Sequence, residues 1–252
     1  MPPVQEPIWQ VILLNLRYIR NILKQNRNFI YIYKMRGSQP LLEEELKQIV
    51  QELEESTDRF SKRNLCLILL GCYCGFRVSE ILSLVVADCC HEQDLPSIII
   101  NKRITVKRRN MKNKMEGRTV MVNPKLQKAL YNYLSQWPEI FGKCRCESMR
   151  QPLGSSPLFP SQKYDKDENG NDIPRSLTQR QVDMVLNKLC KKLGIETSGT
   201  HLMRKTFADR VNKKLDRNIA LVQKALGHKS INSTTSYLSF DQTEIDNAIS
   251  KI

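Results

Sequence analysis

Thr200-His201-Leu202-Met203-Arg204, followed by Leu226-Gly227-His228 and then Tyr237, is the stretch on which the reading of this chain turns. One more arginine lies far upstream, in Gly75-Phe76-Arg77-Val78-Ser79-Glu80. Together these segments offer two guanidiniums, two imidazoles and a phenol. Guanidiniums are permanently charged forks that clamp phosphate oxygens, imidazoles exchange protons near neutral pH, and a phenol can form a covalent intermediate. That inventory suffices to cut a phosphodiester by direct attack of tyrosine, with neither metal nor other cofactor expected. Taken singly, each residue has a plain structural explanation: arginines on helices face water or an acidic neighbour, histidines pack, and tyrosines are amphipathic filler. Only their order and spacing carry information.

Working outward, Thr200–Leu215 and Asn218–Leu226 have helical spacing, and Gly227 fits the residue that stops a helix. Upstream, Lys125–Leu134 and Thr178–Leu193 are helical, the second with Val182, Val185, Leu186 and Leu189 on its buried face. Phe141–Ser176 between them is rich in Pro, Gly, Ser and charge and is expected to be mostly loop. Ile98–Ile100, Arg103–Val106 and Arg118–Val122 are β-branched runs that read as a small antiparallel sheet. Leu46, Ile49, Val50 and Leu53 mark an amphipathic helix with Glu43–Glu45 in its first turn, where carboxylates suit the helix dipole. Asn64–Tyr73 is apolar all round, which predicts a buried helix delivering Gly75 and Arg77 at its end, and Ser79–Val86 reads as another short helix. The fold class is therefore α+β, mostly helical, with one small sheet.

These segments carry a resemblance. Residues 75–80 resemble the first arginine box of the tyrosine recombinases (phage integrases and Xer-type resolvases). Residues 200–210 resemble their His-x-x-Arg box. Residues 226–237 resemble their Leu-Gly-His box, with the family's usual interval of nine residues from His228 to Tyr237. The similarity spans roughly residues 40–252. It implies a tyrosine-recombinase catalytic domain over 40–252, preceded over 1–39 by a basic N-terminal helix and linker, with the family's larger core-binding region absent, shortened to that helix or replaced by a partner. It also implies a site-specific DNA recombinase that cleaves and rejoins DNA through a 3′-phosphotyrosyl intermediate, integrating, excising or inverting a mobile or viral element. In that scheme Arg77 and Arg204 flank the scissile phosphate, His201 moves the phenolic proton, His228 bonds a phosphate oxygen, and Tyr237 is the nucleophile. The family takes the leaving-group proton from a lysine in a β-hairpin. Setting Arg118-Thr119-Val120 on the strand after that hairpin puts Lys114 at the usual offset, with Lys112 second. Lys102, Arg103, Lys107, Arg108, Arg109, Lys112 and Arg118 are the expected DNA contacts. Two neighbouring readings share many of these residues: a type IB topoisomerase, and a non-catalytic recombinase-like regulator that binds DNA.

Composition agrees with a polyanionic partner. The formal charge is +14 and the pI near 9.5, and attraction to phosphates supplies most non-specific DNA affinity. Double-stranded DNA is the expected partner, with self-association from dimer to tetramer in a synapse. The apolar stripe Ile245, Ala248, Ile249, Ile252 is expected to pack on a neighbouring protomer, as the resemblance implies, or within its own. Residues 1–38 hold Trp9, Ile12, Leu13, Leu16 and Leu23 on one helical stripe and Arg17, Arg20, Lys24 and Arg27 on another, suited to DNA, a partner helix or an acidic membrane surface. No secretory signal or membrane span is read, so an intracellular, DNA-associated protein without a membrane partner is expected. In a reducing compartment the eight cysteines read as small hydrophobes and surface thiols rather than a zinc set, since C-x-C spacing is too short. Asp165-Lys166-Asp167-Glu168-Asn169-Gly170 imitates the opening of a calcium loop, but Ser176 at its twelfth place and Pro174 within it favour an exposed acidic turn.

Overall fold

Two helices open the described part of the chain, α1 (Glu43–Glu55) and α2 (Ser61–Cys74). The computed structural model describes residues 38–92, 98–106, 118–136, 153–166, 168–170, 172–196, 199–238, 246 and 249–250. The expected N-terminal basic helix lies outside these residues, as does most of the C-terminal stripe. α1 is amphipathic as its spacing predicts: Leu46, Ile49 and Leu53 are buried, and Glu43, Glu44 and Glu45 occupy its first turn. α2 is buried all round from Leu65 to Leu70. Burying each such aliphatic side chain contributes about 1.5–3 kcal/mol before chain entropy is counted.

Two short helices follow, α3 (Val78–Ile81) and α4 (Val86–Cys89), where one was expected over 79–86. The backbone between them is diverted into a bridge. Leu158 N–H donates to the Leu84 carbonyl at 2.9 Å and Val86 N–H to the Ser156 carbonyl at 3.0 Å. These bonds replace the ladder a continuous helix would need.

The strands form three separate antiparallel pairs: β1 (Cys90–Glu92) with β2 (Ile98–Ile100), β3 (Arg103–Val106) with β4 (Arg118–Met121), and β5 (Pro160–Lys166) with β6 (Asp172–Ser176). The expected runs at 98–100, 103–106 and 118–122 are strands, but the first pairs with Cys90–Glu92 and not with its successor. Asn101-Lys102 joins β2 to β3. A two-residue hairpin turn wants a residue of positive φ, usually glycine, and neither residue here has one. β5 and β6 correct the loop expected over 141–176. Asp165 and Lys166 end β5, paired with Ile173 and Asp172, Glu168 and Asn169 are exposed, and Asp165 pairs with Arg175 at 3.5 Å.

After α5 (Pro124–Leu134), capped by the Asn123 side chain, come α6 (Gln179–Leu193), α7 (His201–Lys214), α8 (Ile219–Leu226) and α9 (Ile231–Thr235). α2 packs against α1, α5 and α7. The α2–α7 crossing is close because Gly71 has no side chain; a Cβ there would sit 2.5 Å from the Met203 Cβ. Tyr133 closes the other side of the core, donating to the Leu158 carbonyl at 2.7 Å and stacking on Phe159. A smaller cluster of Phe207, Ala208, Val222, Leu226 and Leu238 ties α7 to α8 and to the turn after α9, with Tyr237 against it. Cys66, Cys72, Cys74, Cys89, Cys90 and Cys190 are buried. Burial pushes the Cys72 and Cys74 thiols up to about 12, so both behave as small apolar groups. Among the described residues no helix is long and apolar enough to cross a membrane.

Candidate active site

The ends of two helices define the floor of the site. α2 stops at Gly75, whose φ of 61° is left-handed, and α8 stops at Gly227 with φ of 65°. Helix C-termini expose carbonyls that lack partners within the helix and carry partial negative charge. Two arginines from elsewhere in the fold supply the donors. Arg204, on α7, donates to the Gly75 carbonyl and, at 2.6 Å, to that of Leu226. Arg118, first residue of β4, donates to the Ala225 carbonyl at 2.8 Å, to that of Cys74 at 3.4 Å and to that of Gly75 at 3.3 Å.

Glu80 sits against both of them and against Arg77. The Arg77 backbone N–H donates to Glu80 Oε2 at 2.7 Å, a cap at the start of α3, and its Nη1 donates to Oε1 at 3.1 Å. Arg118 Nη2 lies 3.2 Å from Oε2 and Arg204 Nη1 lies 3.8 Å from it. Burial alone would raise the Glu80 carboxyl. The Arg77 N–H and the guanidiniums of Arg118, Arg204 and Arg77 outweigh burial and hold it below the usual carboxylate range. Arg204, 1 % exposed, moves the other way: burial first, then the charges of Arg77 and Arg118, lower it to about 10. It still carries its charge at neutral pH.

The remaining groups line up beside Arg204. His228 follows the helix-ending Gly227, and its Nε2 lies 3.0 Å from Arg204 Nη2. A guanidinium can only donate, so Nε2 is the acceptor and the ring proton resides on Nδ1. That nitrogen therefore donates to the buried Thr234 hydroxyl at 3.1 Å. Tyr237 lies in the turn after α9, its backbone N–H donating to the Thr234 carbonyl at 3.0 Å. The Tyr237 ring is tilted 5.1 Å from the His228 ring, and the Arg204 guanidinium carbon is 5.8 Å from its centroid. The Tyr237 hydroxyl is 3.2 Å from Nδ1 of His201, the exposed first residue of α7. Thr200 N–H donates to Asp183 at 2.9 Å, which fixes the start of that helix against α6.

The structure thus brings Arg77, His201, Arg204, His228 and Tyr237 into one cluster drawn from four parts of the chain. Lys102 and Arg103 are exposed where β3 begins, positions open to a phosphate. Lys107, Arg108, Arg109, Lys112 and Lys114 lie outside the described residues. Arg118, expected among the DNA contacts, is 16 % exposed, its guanidinium set on Glu80 and three carbonyls. Sequence reading missed Glu80 and Thr234 as parts of the site. The i, i+3 spacing of Arg77 and Glu80 signals a helix cap; nothing local signals Thr234.

Comparison with known proteins shows what the chain is similar to. The model of the phage integrase family matches residues 39–244. Tyrosine recombinase XerH of Campylobacter jejuni is 28% identical over 205 residues, covering 80% of this chain and 48% of the relative. XerH of Helicobacter pylori is 25% identical over 209 residues, covering 82% and 50%. This chain therefore spans about half the length of these relatives. The crystal structure of XerH recombinase bound to difH substrate in a pre-cleavage complex superposes with a TM-score of 0.57 at 24% identity, over 86% of this chain and 56% of that one. The Tn1549 transposon integrase in complex with circular intermediate DNA superposes at 0.54 with 18% identity, over 89% and 68%. At these identities the superpositions establish the fold alone, mostly helical with small antiparallel sheets.

Proposed function

The chain belongs to the phage integrase family, and from that membership we propose that it is a site-specific DNA recombinase acting through a covalent tyrosyl intermediate. One observation carries the reading: the Tyr237 hydroxyl shares a hydrogen bond with His201 beside the Arg204–His228 pair. A phenol whose unperturbed pKa is about 10 needs a proton acceptor and a stabilised phosphate next to it to attack at neutral pH.

In this reading Arg77 and Arg204 bind the non-bridging oxygens and offset the charge that grows there as the phosphorus becomes five-coordinate. His201 accepts the phenolic proton. The bond from Tyr237 Oη to phosphorus forms while the bond from phosphorus to the 5′-oxygen breaks, and that oxygen takes a proton from Lys114. His228 bonds a phosphate oxygen once its Nε2 parts from Arg204 and takes up a proton, since only a protonated ring nitrogen can donate to that oxygen. The products are a 3′-phosphotyrosyl link and a free 5′-hydroxyl. A second 5′-hydroxyl reverses the step on a new partner strand, and the phosphodiester is conserved without an external energy source.

Residues 40–252 form the catalytic part in this proposal, and 1–39 contribute a basic helix and linker. The substrate is double-stranded DNA in an intracellular compartment, and copies of the chain assemble on it. Relatives named for recombination and a transposon integrase among the structural neighbours support a mobile or viral element as the context. Nicked suicide duplexes tiled across the DNA flanking the coding sequence test the reading. A protein–DNA adduct resistant to denaturation is expected in EDTA and is expected to disappear in Tyr237→Phe. An adduct that persists in the variant assigns the nucleophile elsewhere. Relaxation of supercoiled plasmid irrespective of sequence points to a topoisomerase, and binding without any adduct points to a regulator.

A further inference from the structure

We propose that Arg118 is a positioning residue that keeps the charge of Arg204 from being drawn onto Glu80, by occupying that carboxylate. The inference rests on the recombinase reading above and concerns the same site. Its ground is a competition visible in the geometry. Glu80 Oε2 receives the Arg77 backbone N–H at 2.7 Å and Arg118 Nη2 at 3.2 Å, while Arg204 Nη1 stands off at 3.8 Å. Two donors already fill that oxygen, so the third cation stays out of hydrogen-bond range.

Arg118 is built into this place. Its guanidinium spans the Cys74, Gly75 and Ala225 carbonyls, so it joins the end of α2 to the end of α8. It also lies 5.1 Å from the centroid of the Phe76 ring. Gly227 makes room for its stem; a Cβ there would lie 3.0 Å from Arg118 Cδ. Arg118 pairs across the hairpin with Val106, and residues 107–117 between them include Lys112 and Lys114. One side chain therefore links the base of the lysine-bearing hairpin to the arginine cluster. With Arg118 gone, the cation among the described residues that lies within 4 Å of Glu80 without a hydrogen bond to it is Arg204, at 3.8 Å. If Arg204 closed onto Glu80, its charge would leave the phosphate.

The test uses the full chain, nicked duplexes from the tiled set, and variants whose folding is checked by thermal melting. Arg118→Met is expected to slow single-turnover adduct formation by roughly 100-fold, the scale of losing one aligned charge-stabilising donor. Its DNA affinity is expected to stay within roughly twofold, because the group faces inward rather than toward solvent phosphate. Adding Glu80→Gln to Arg118→Met is expected to restore at least roughly tenfold, since an uncharged amide no longer draws Arg204. Should Arg118→Met fail to fold, Arg118→Lys replaces it; one charge on Glu80 without the fork leaves a smaller loss, again relieved by Glu80→Gln.

A second readout needs no turnover. The Nη–H resonances of Arg204 are expected to shift in Arg118→Met and to return in the double variant. Unchanged Arg204 resonances, wild-type rates in Arg118→Met, or a double variant as slow as the single one would each overturn the proposal. So would a loss of affinity large enough to account for the loss of rate, which would make Arg118 a phosphate contact. If wild type forms no adduct, the recombinase reading falls, while the Arg204 resonances still decide the positioning claim.

Discussion

Glu80 carries one negative charge among three guanidiniums, and the sign of its effect on stability follows from its depressed carboxyl. A group whose folded pKa lies below its unfolded value stabilises fully above the unfolded value and loses that contribution as pH falls through the folded one. Glu80→Gln is therefore expected to cost about 3 kcal/mol at neutral pH, as for one partner of a buried charge cluster. The gap to wild type is expected to narrow as pH drops below the ordinary 4.5. Urea titrations at stepped pH measure it; a gap independent of pH would show that charge is not what Glu80 contributes. At this scale the sequence was readable where chemistry depends on residue type and interval. Arg77, His201, Arg204, His228 and Tyr237 occur at the intervals of known boxes, and the structure brings them together. Glu80 was hidden because a carboxylate three residues into a helix reads as a cap, which it also is. The bonds of Arg118 to Glu80 and three carbonyls were hidden because sequence reports a charge without its direction.

Helix α2 meets α7 at Gly71, and the geometry there sets a sharp limit. Alanine would improve intrinsic helix propensity by up to about 1 kcal/mol, yet its Cβ would stand 2.5 Å from the Met203 Cβ. Overpacking costs of about 1–3 kcal/mol are usual for such insertions, and Met203 neighbours Arg204. Gly71→Ala is thus expected to destabilise by about 1–2 kcal/mol and to slow cleavage as well; a rise in the urea midpoint would mean that α7 moves aside at little cost. Helices α6 and α8 carry their end signals in the sequence, Thr178 and Asn218 before them and Gly194 and Gly227 after, whereas α2 and α7 have no side-chain N-cap. The β5–β6 hairpin could not be read. Its residues, Pro-Ser-Gln-Lys-Tyr-Asp-Lys and Asp-Ile-Pro-Arg-Ser, show no apolar alternation because much of the ribbon faces water. Pairing of β1 with β2 was equally hidden, because strand partners follow from turn geometry and tertiary placement more than from β-branched content.

At the scale of the molecule, the site depends on parts of the chain far apart in sequence. The ends of α2 and α8, the base of the β3–β4 hairpin and the start of α7 each deliver one part of it. The charge of +14 suits DNA but does not place any of these parts, which is why composition could name a class of partner and not a site. The contact between Tyr237 and His201 at 3.2 Å belongs to a single polypeptide, and this has a consequence for mixed populations. If the nucleophile and its proton acceptor must come from the same copy, two crippled versions cannot make each other whole. A blend of Tyr237→Phe with His201→Ala is then expected to stay as inert as either alone on the tiled duplexes. Restored cutting in the blend would reveal a tyrosine lent from one copy to its neighbour.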